Sequence, residues 1–333
     1  MPETESIQRM AELASDEIFS VFGWERHSLM NQNWECVEQK RHHRRKSKTH
    51  PTDSVFKYVA PYSGSDVYVQ TDLKSYAKGT LEGVDLAKIL RGLGHATECA
   101  NKSANWKNLF VDQTRNHDVI GMLFIYNHDG DYDKDFSDTL ASLAPSQVEL
   151  APSGFVGVVG PQRVIYLNSI AKDIKALHSD GRLPAKEHRK FFYPHLARVM
   201  ALHQQSAAAS LQTLLAPLMV MAYTLPQSPQ PNRGYFAYYD GMGESVDEFK
   251  YLLDYFFKYQ IADENTDVTI NLLFPHKEAP VTFETAKKEF ARDYWPVADT
   301  SREQFRTALD KVVYRQPQSV VQRFSALDLG MQR

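Results

Sequence analysis

The stretch from Pro51 to Tyr76, PTDSVFKYVAPYSGSDVYVQTDLKSY, constrains this chain more than any other. Two runs rich in Val, Tyr and Phe flank a Ser-Gly-Ser turn, the pattern of two strands joined as a hairpin. In the second run, strand alternation puts Tyr68, Gln70, Asp72, Lys74 and Tyr76 on one face and Val67, Val69, Thr71 and Leu73 on the other. A carboxylate and an ammonium two residues apart, opposite an apolar face, are unusual in a plain core strand. Asp53 begins the first run and returns beside the end of the second. Together Asp53 and Asp72 read as a divalent-metal site; the simpler alternative is a surface Asp-Lys pair closing an ordinary hairpin.

Directly before Asp53, residues 39–52 contain no acid, while Lys40, Arg41, Arg44, Arg45, Lys46 and Lys48 are all positive. Charge this dense repels itself unless it faces solvent or a polyanion, and here it would hold a phosphate backbone next to the metal. His42, His43 and His50 add donors that become cationic on protonation. They form no zinc motif, because cysteine partners at ligand spacing are missing. The two cysteines, Cys36 and Cys99, lie far apart and predict neither a metal site nor a disulfide, which fits a reducing compartment. The net charge of −3 gives no global argument for a nucleic-acid partner, so that inference rests on the local patch. The N-terminus is polar and acidic, and no apolar run reaches transmembrane length. A cytoplasmic protein without membrane contact is expected.

Around the hairpin, apolar spacing predicts an amphipathic helix over residues 5–22, bearing Glu12 and Glu17, either of which would complete the acidic cluster or remain a solvated carboxylate. Helical pattern continues over 81–111, weakened by Gly92 and Gly94. Val119–Tyr126 reads as a central strand buried on both faces. The acid-rich 127–138 segment does not fit the glycine and terminal glutamate positions of a calcium loop and reads as a helix-capping loop. Phe155–Val159 and Arg163–Leu167 predict a second hairpin, followed by a helix over 169–178. The Leu, Met and Ala of 186–225 predict helix, kinked or restarted at Pro217. PQSPQPNRG at 226–234 reads as an extended linker or crossing loop. Beyond it, strands at 235–239 and 268–274 flank an aromatic-rich helix at 246–261, a β-α-β order; helices over 282–293 and 301–311 and a strand at 312–315 follow. Ser245 reads as a helix cap rather than part of a nucleotide loop.

Helix, hairpin, helix and buried strand around Asp53, Asp72 and Lys74 resemble the PD-(D/E)XK nuclease superfamily. Leu73 is the variable residue of the motif, and Pro51 stands one residue away from the usual Pro-Asp position. The resemblance covers roughly residues 5–167. It implies an α/β fold with a restriction-endonuclease-like mixed sheet flanked by helices, carried on a nuclease domain with a helical extension over 1–225. Residues 226–333 are left as an additional C-terminal α+β module. The implied activity is phosphodiester hydrolysis, in DNA by family preference, in restriction or phage defence. The implied cofactor is magnesium, with manganese as a substitute, held by Asp53, Asp72 and the Leu73 carbonyl. Such an ion acidifies a water and withdraws charge from phosphate oxygen. Lys74 would orient that water or stabilise developing negative charge, and burial next to a metal would depress its pKa. Gln70 and Glu17 complete the expected catalytic set.

Three alternatives remain from sequence. A degenerate nuclease core would bind nucleic acid, or act as a scaffold, without cutting. A phosphoryl-transfer enzyme acting on nucleotides would show a narrow pocket. An interaction module would use the aromatic residues of 235–259, although Phe249, Leu252, Leu253, Phe256 and Phe257 at helical spacing fit a core better. The C-terminal module would serve a protein partner, self-association or a regulatory ligand.

Overall fold

The computed structural model describes residues 12, 15–42, 48–151, 154–195, 202–225, 232–294 and 299–318. It forms two compact units, one running to Asn168 and taking in Ala208–Leu215, the other built from Ser169–Ala207 and Ala216–Val320.

The first unit is organised on a five-stranded mixed sheet. Its strands are β1 (Glu25–Arg26), β4 (Ser54–Val59), β5 (Asp66–Tyr76), β6 (His117–Asn127) and β7 (Val156–Val159), in the order β1-β4-β5-β6-β7. A separate two-stranded ribbon pairs β2 (Gln32–Glu35) with β3 (Thr49–Thr52). The predicted hairpin forms: β4 and β5 are antiparallel, with Ser54 opposite Thr71 and Tyr58 opposite Val67. Gly64 takes φ +70° in the turn, where a side chain would be strained. β6 is the expected central strand, parallel to β5 on one side and β7 on the other.

One face of this sheet is covered by the helix at 15–21. Phe19 packs against Phe56 and Phe124 with ring centroids 5.1 and 5.8 Å apart. Phe56 is in register with Val69 and Phe124 with Leu73, so this is the apolar face foreseen for β5. Of the helix predicted over 5–22, residues 5–11, 13 and 14 lie outside the described residues. The opposite face meets the helix Leu86–Lys102, flanked by helices Lys78–Gly83 and Ala104–Phe110. Leu86, Leu90 and Leu93 join Leu123 and Ile125 in one core cluster. Gly92 and Gly94 do not break this helix, because its buried face outweighs their backbone cost. In β6, a Cβ on Gly121 would stand 2.6 Å from Thr97 Oγ1 and 3.0 Å from Val156. Its bare Cα lets the helix sit close against the sheet.

Arg163–Leu167 is not a strand. Pro161–Ser179 is one helix, with Pro161 at its start where a missing N–H costs nothing. Val164, Leu167, Ile170, Ala171 and Ile174 are buried at helical spacing. β7 therefore pairs in parallel with β6 instead of turning back on itself. The acid-rich loop caps as expected, with Asp135 accepting from the Ser137 N–H.

The second unit holds a six-stranded sheet in the order β13-β12-β11-β10-β8-β9, formed by β8 (Arg189–His195), β9 (Leu202–Ser206), β10 (Leu218–Leu225), β11 (Asn232–Tyr239), β12 (Thr266–Leu272) and β13 (Val312–Arg315). Among the described residues of 186–225, strand thus prevails over helix, which is confined to the 3-10 turn Lys186–His188 and the short helix Leu211–Leu215 just before Pro217. Leu225 and Asn232 face each other in antiparallel register, so the proline-rich 226–234 stretch connects neighbouring strands of one sheet; residues 226–231 lie outside the described residues. The β-α-β reading holds: β11, β12 and β13 are mutually parallel and joined through helices Val246–Lys258, Ala279–Asp293 and Asp299–Asp310. Phe249, Leu252, Leu253 and Phe256 are fully buried among them, so this aromatic stripe is core and not an exposed interaction surface.

Candidate active site

Along β5 the polar face changes character. Tyr68 is packed among Val55, Ala96 and Trp106. The next positions on that face, Gln70, Asp72 and Lys74, open into a cleft of about 450 Å³ between the strand and the helix Leu86–Lys102. Asp53 enters it from the junction between β3 and β4. Its Oδ2 accepts the backbone N–H of Leu73 at 2.8 Å, which fixes the carboxyl beside Asp72. Lys74 is ion-paired with Asp72 Oδ1. Asp53, Gln70, Asp72 and Lys74 therefore meet in one cleft, although Asp53 lies far along the chain from the strand that carries the others.

The electrostatics follow from that crowding. Burial, and then the Asp72 carboxylate within hydrogen-bonding reach, push the pKa of Asp53 up to about 6. Burial works against the charge of Lys74, but Asp72 and then Asp53 outweigh it and hold the ammonium above its ordinary value. In the metal-free cleft the two acidic neighbours thus oppose the depression expected of a lysine beside a bound metal. Gln70 is 1% exposed, yet neither its side-chain nitrogen nor its oxygen has a hydrogen-bond partner among the described residues. Buried polar atoms left in this state cost free energy unless something else satisfies them. Two adjacent carboxylates with an amide beside them form a hard-oxygen donor set, which fits a hydrated divalent cation.

Other expected residues lie elsewhere. Glu17 is exposed on the helix at 15–21, which packs on the sheet face opposite Asp72, and neither it nor Glu12 lines the cleft. Tyr76 packs beside the Leu81–Leu86 cluster instead of lining the groove. In the basic segment Lys40, Arg41 and Lys48 are exposed, but Arg41 is ion-paired with Glu98; Arg44, Arg45 and Lys46 lie outside the described residues. His42 and His50 are buried rather than offered to solvent, and burial lowers the His42 pKa.

Two cleft residues escaped the sequence reading. Asp85 and Lys88 line the wall facing β5. Asp85 caps the helix, accepting the Lys88 N–H at 2.9 Å, and the Asp-Leu-Ala-Lys sequence at 85–88 is an N-cap signal that would have placed it at a helix start. The second unit has a larger cleft, about 820 Å³, whose Lys190 and Arg233 are balanced by Glu187 and Asp263. Among the described residues, no helix is long and apolar enough to cross a membrane.

A mixed sheet flanked by helices, with paired acids and a lysine on one face of an inner strand, defines a PD-(D/E)XK-like fold. Residues 1–163 match the family described as the GAPS4 protein PD-(D/E)XK nuclease domain, and this part of the chain belongs to the PD-(D/E)XK nuclease superfamily. Membership implies hydrolase chemistry on nucleic acid, for which the superfamily generally uses divalent metals. No curated protein matches the sequence. Among solved structures, the central domain of yeast acetyl-CoA carboxylase aligns at 9% identity and a TM-score of 0.22. That alignment covers 91% of this chain but only 45% of the other, and similarity this low carries no argument.

Proposed function

We propose that the first unit is a magnesium-dependent nuclease that hydrolyses phosphodiester bonds in DNA, with manganese able to substitute. The observation that carries this reading is the meeting of Asp53, Asp72, Gln70 and Lys74 in one cleft, with the buried Gln70 amide left without a hydrogen-bond partner among the described residues. Asp53 and Asp72 would hold the cation, with the Leu73 carbonyl as a further ligand. The Leu73 N–H holds one oxygen of Asp53, so the other would be the one to reach the ion. The cation supplies charge compensation at the phosphate and acidifies the attacking water.

Lys74, kept charged by its acidic neighbours, is suited to neutralise the scissile phosphate as negative charge grows on its oxygens. Gln70 is suited to orient the water through whichever of its amide groups faces it. Lys40 and Lys48, with Arg44, Arg45 and Lys46, would grip the backbone without reading sequence. DNA as substrate, and a setting in restriction or phage defence, rest on the superfamily likeness alone. The second unit is left for a protein partner, self-association or a regulatory ligand.

Cleavage of labelled single- and double-stranded DNA tests the reading, with magnesium, manganese or chelator and with wild type, Asp72→Ala and Lys74→Ala compared. Metal-dependent cutting that falls by at least about 100-fold in both folded variants is expected. Cutting that persists in both would remove the activity from this cleft, and binding without cutting by wild type would favour a degenerate core.

A further inference from the structure

The fold brings Cys99 onto three side chains of a distant stretch of the chain, Cys36, His42 and His50. Cys36 follows β2, His42 ends the turn after it, His50 lies on β3, and Cys99 is on the helix Leu86–Lys102. All four are buried, and one ligand atom from each lies within 4.8 Å of the others. We propose that they form a structural zinc site of the Cys2His2 type, separate from the oxygen-lined cleft.

The distances among Cys36, Cys99 and His42 match that coordination, and His50 stands within 4.8 Å of them. The two sulfurs are 3.7 Å apart, and His42 Nδ1 is 3.4 Å from Cys36 Sγ and 3.5 Å from Cys99 Sγ. Zinc–sulfur and zinc–nitrogen bonds at tetrahedral angles give edges of about 3.8 Å between sulfurs and about 3.6 Å between sulfur and nitrogen. A disulfide needs its sulfurs near 2 Å, so these two thiols are not in that state. The outer groups fit as well. The other ring nitrogen of His42 is 3.5 Å from Glu98 Oε2, the carboxylate that orients a ligating histidine. The backbone N–H groups of Val37 and Glu38 face the Cys99 sulfur. Two soft sulfurs and two imidazoles in a closed, buried set select zinc over magnesium and leave no open position for substrate.

Such a site would staple the β2–β3 ribbon to the helix that walls the cleft. Cys36 precedes the basic residues 40–48 and His50 follows them, so the metal would anchor both ends of the basic segment. His50 also stands three residues before Asp53, so the same metal would fix the approach of β3 to the cleft.

Elemental analysis of the full chain, purified without chelator, tests the site. One zinc per chain is expected, released when a mercurial blocks the thiols. Exchange with cobalt should give the intense visible absorption of a tetrahedral ion and a thiolate-to-metal charge-transfer band, which an oxygen-lined site cannot produce. Cys99→Ser and His42→Ala should lose zinc, whereas Asp72→Asn should keep it. Wild type that carries no zinc and shows no thiolate–cobalt band would overturn the proposal, whether or not the cysteine variants fold. Retention of full zinc by both the Cys99 and His42 variants would overturn it too. Each result stands independently of whether the protein cuts DNA.

Discussion

At Asp53, burial and the Asp72 carboxylate push the pKa to about 6, so the residue is most comfortable when protonated. Ionising Asp53 therefore costs the metal-free fold stability, a penalty that grows as pH rises from about 4 to about 6 and is fully present above that. Asp53→Asn keeps an acceptor for the Leu73 N–H while removing the charge. In chelator it should be more stable than wild type above pH 6, by roughly 1–3 kcal/mol, and the gap should close toward pH 4. Magnesium should reverse the order by binding the ionised pair, and its stabilisation of wild type should fade below about pH 6. Thermal unfolding across pH, with and without magnesium, reads both effects. A gap between wild type and the variant that does not change with pH would contradict the assigned environment.

At the scale of elements, what could be read in the sequence was whatever local spacing decides. The two faces of β5 were legible because strand alternation separates Asp72 and Lys74 from Val69 and Leu73 without reference to anything else. The β-α-β run was legible because the core stripe of Val246–Lys258 keeps a clean helical period. Residues 186–225 were not, since Leu, Met and Ala favour helix locally while β10 gains two strand neighbours, β8 and β11, in the folded sheet. Glu17 was misplaced for a related reason. Its helix was foreseen, but only Phe19 against Phe56 and Phe124 decides which sheet face it covers. The cysteine–histidine cluster was invisible because Cys36 and Cys99 meet only when the ribbon folds onto the helix.

The close packing of helix on sheet depends on Gly121. Gly121→Ala would bring a methyl against Thr97 Oγ1 and Val156, and Thr97 is held in place by its bond to the Leu93 carbonyl. The expected cost is about 1–3 kcal/mol, with weaker magnesium binding because Leu93 and Ala96 also wall the cleft. Denaturant unfolding and magnesium titration of the variant check both. Unchanged stability would mean that the helix has room to shift.

For the whole molecule, a net charge of −3 hides a local concentration of positive charge in the residues just before Asp53. Replacing Lys40, Arg44, Arg45, Lys46 and Lys48 with Gln should weaken DNA binding across unrelated sequences. The slope of log affinity against log salt should flatten by up to about 0.9 for each phosphate that is no longer neutralised. Arg41 is left out because Glu98 already takes its charge. Fluorescence anisotropy at several salt concentrations measures this. An unchanged slope would place the DNA elsewhere on the molecule.

The most direct test is manganese binding, followed by electron paramagnetic resonance on zinc-replete wild type, Asp72→Asn and Lys74→Met. If the acids hold the cation and the lysine stabilises the phosphate, the two variants should fail in different ways. Asp72→Asn should lose manganese affinity by about tenfold or more, whereas Lys74→Met should bind the ion at least as well as wild type while failing to cut DNA. Equal binding by all three proteins would contradict this division of roles, because the ion would then not be held by the acids of this cleft.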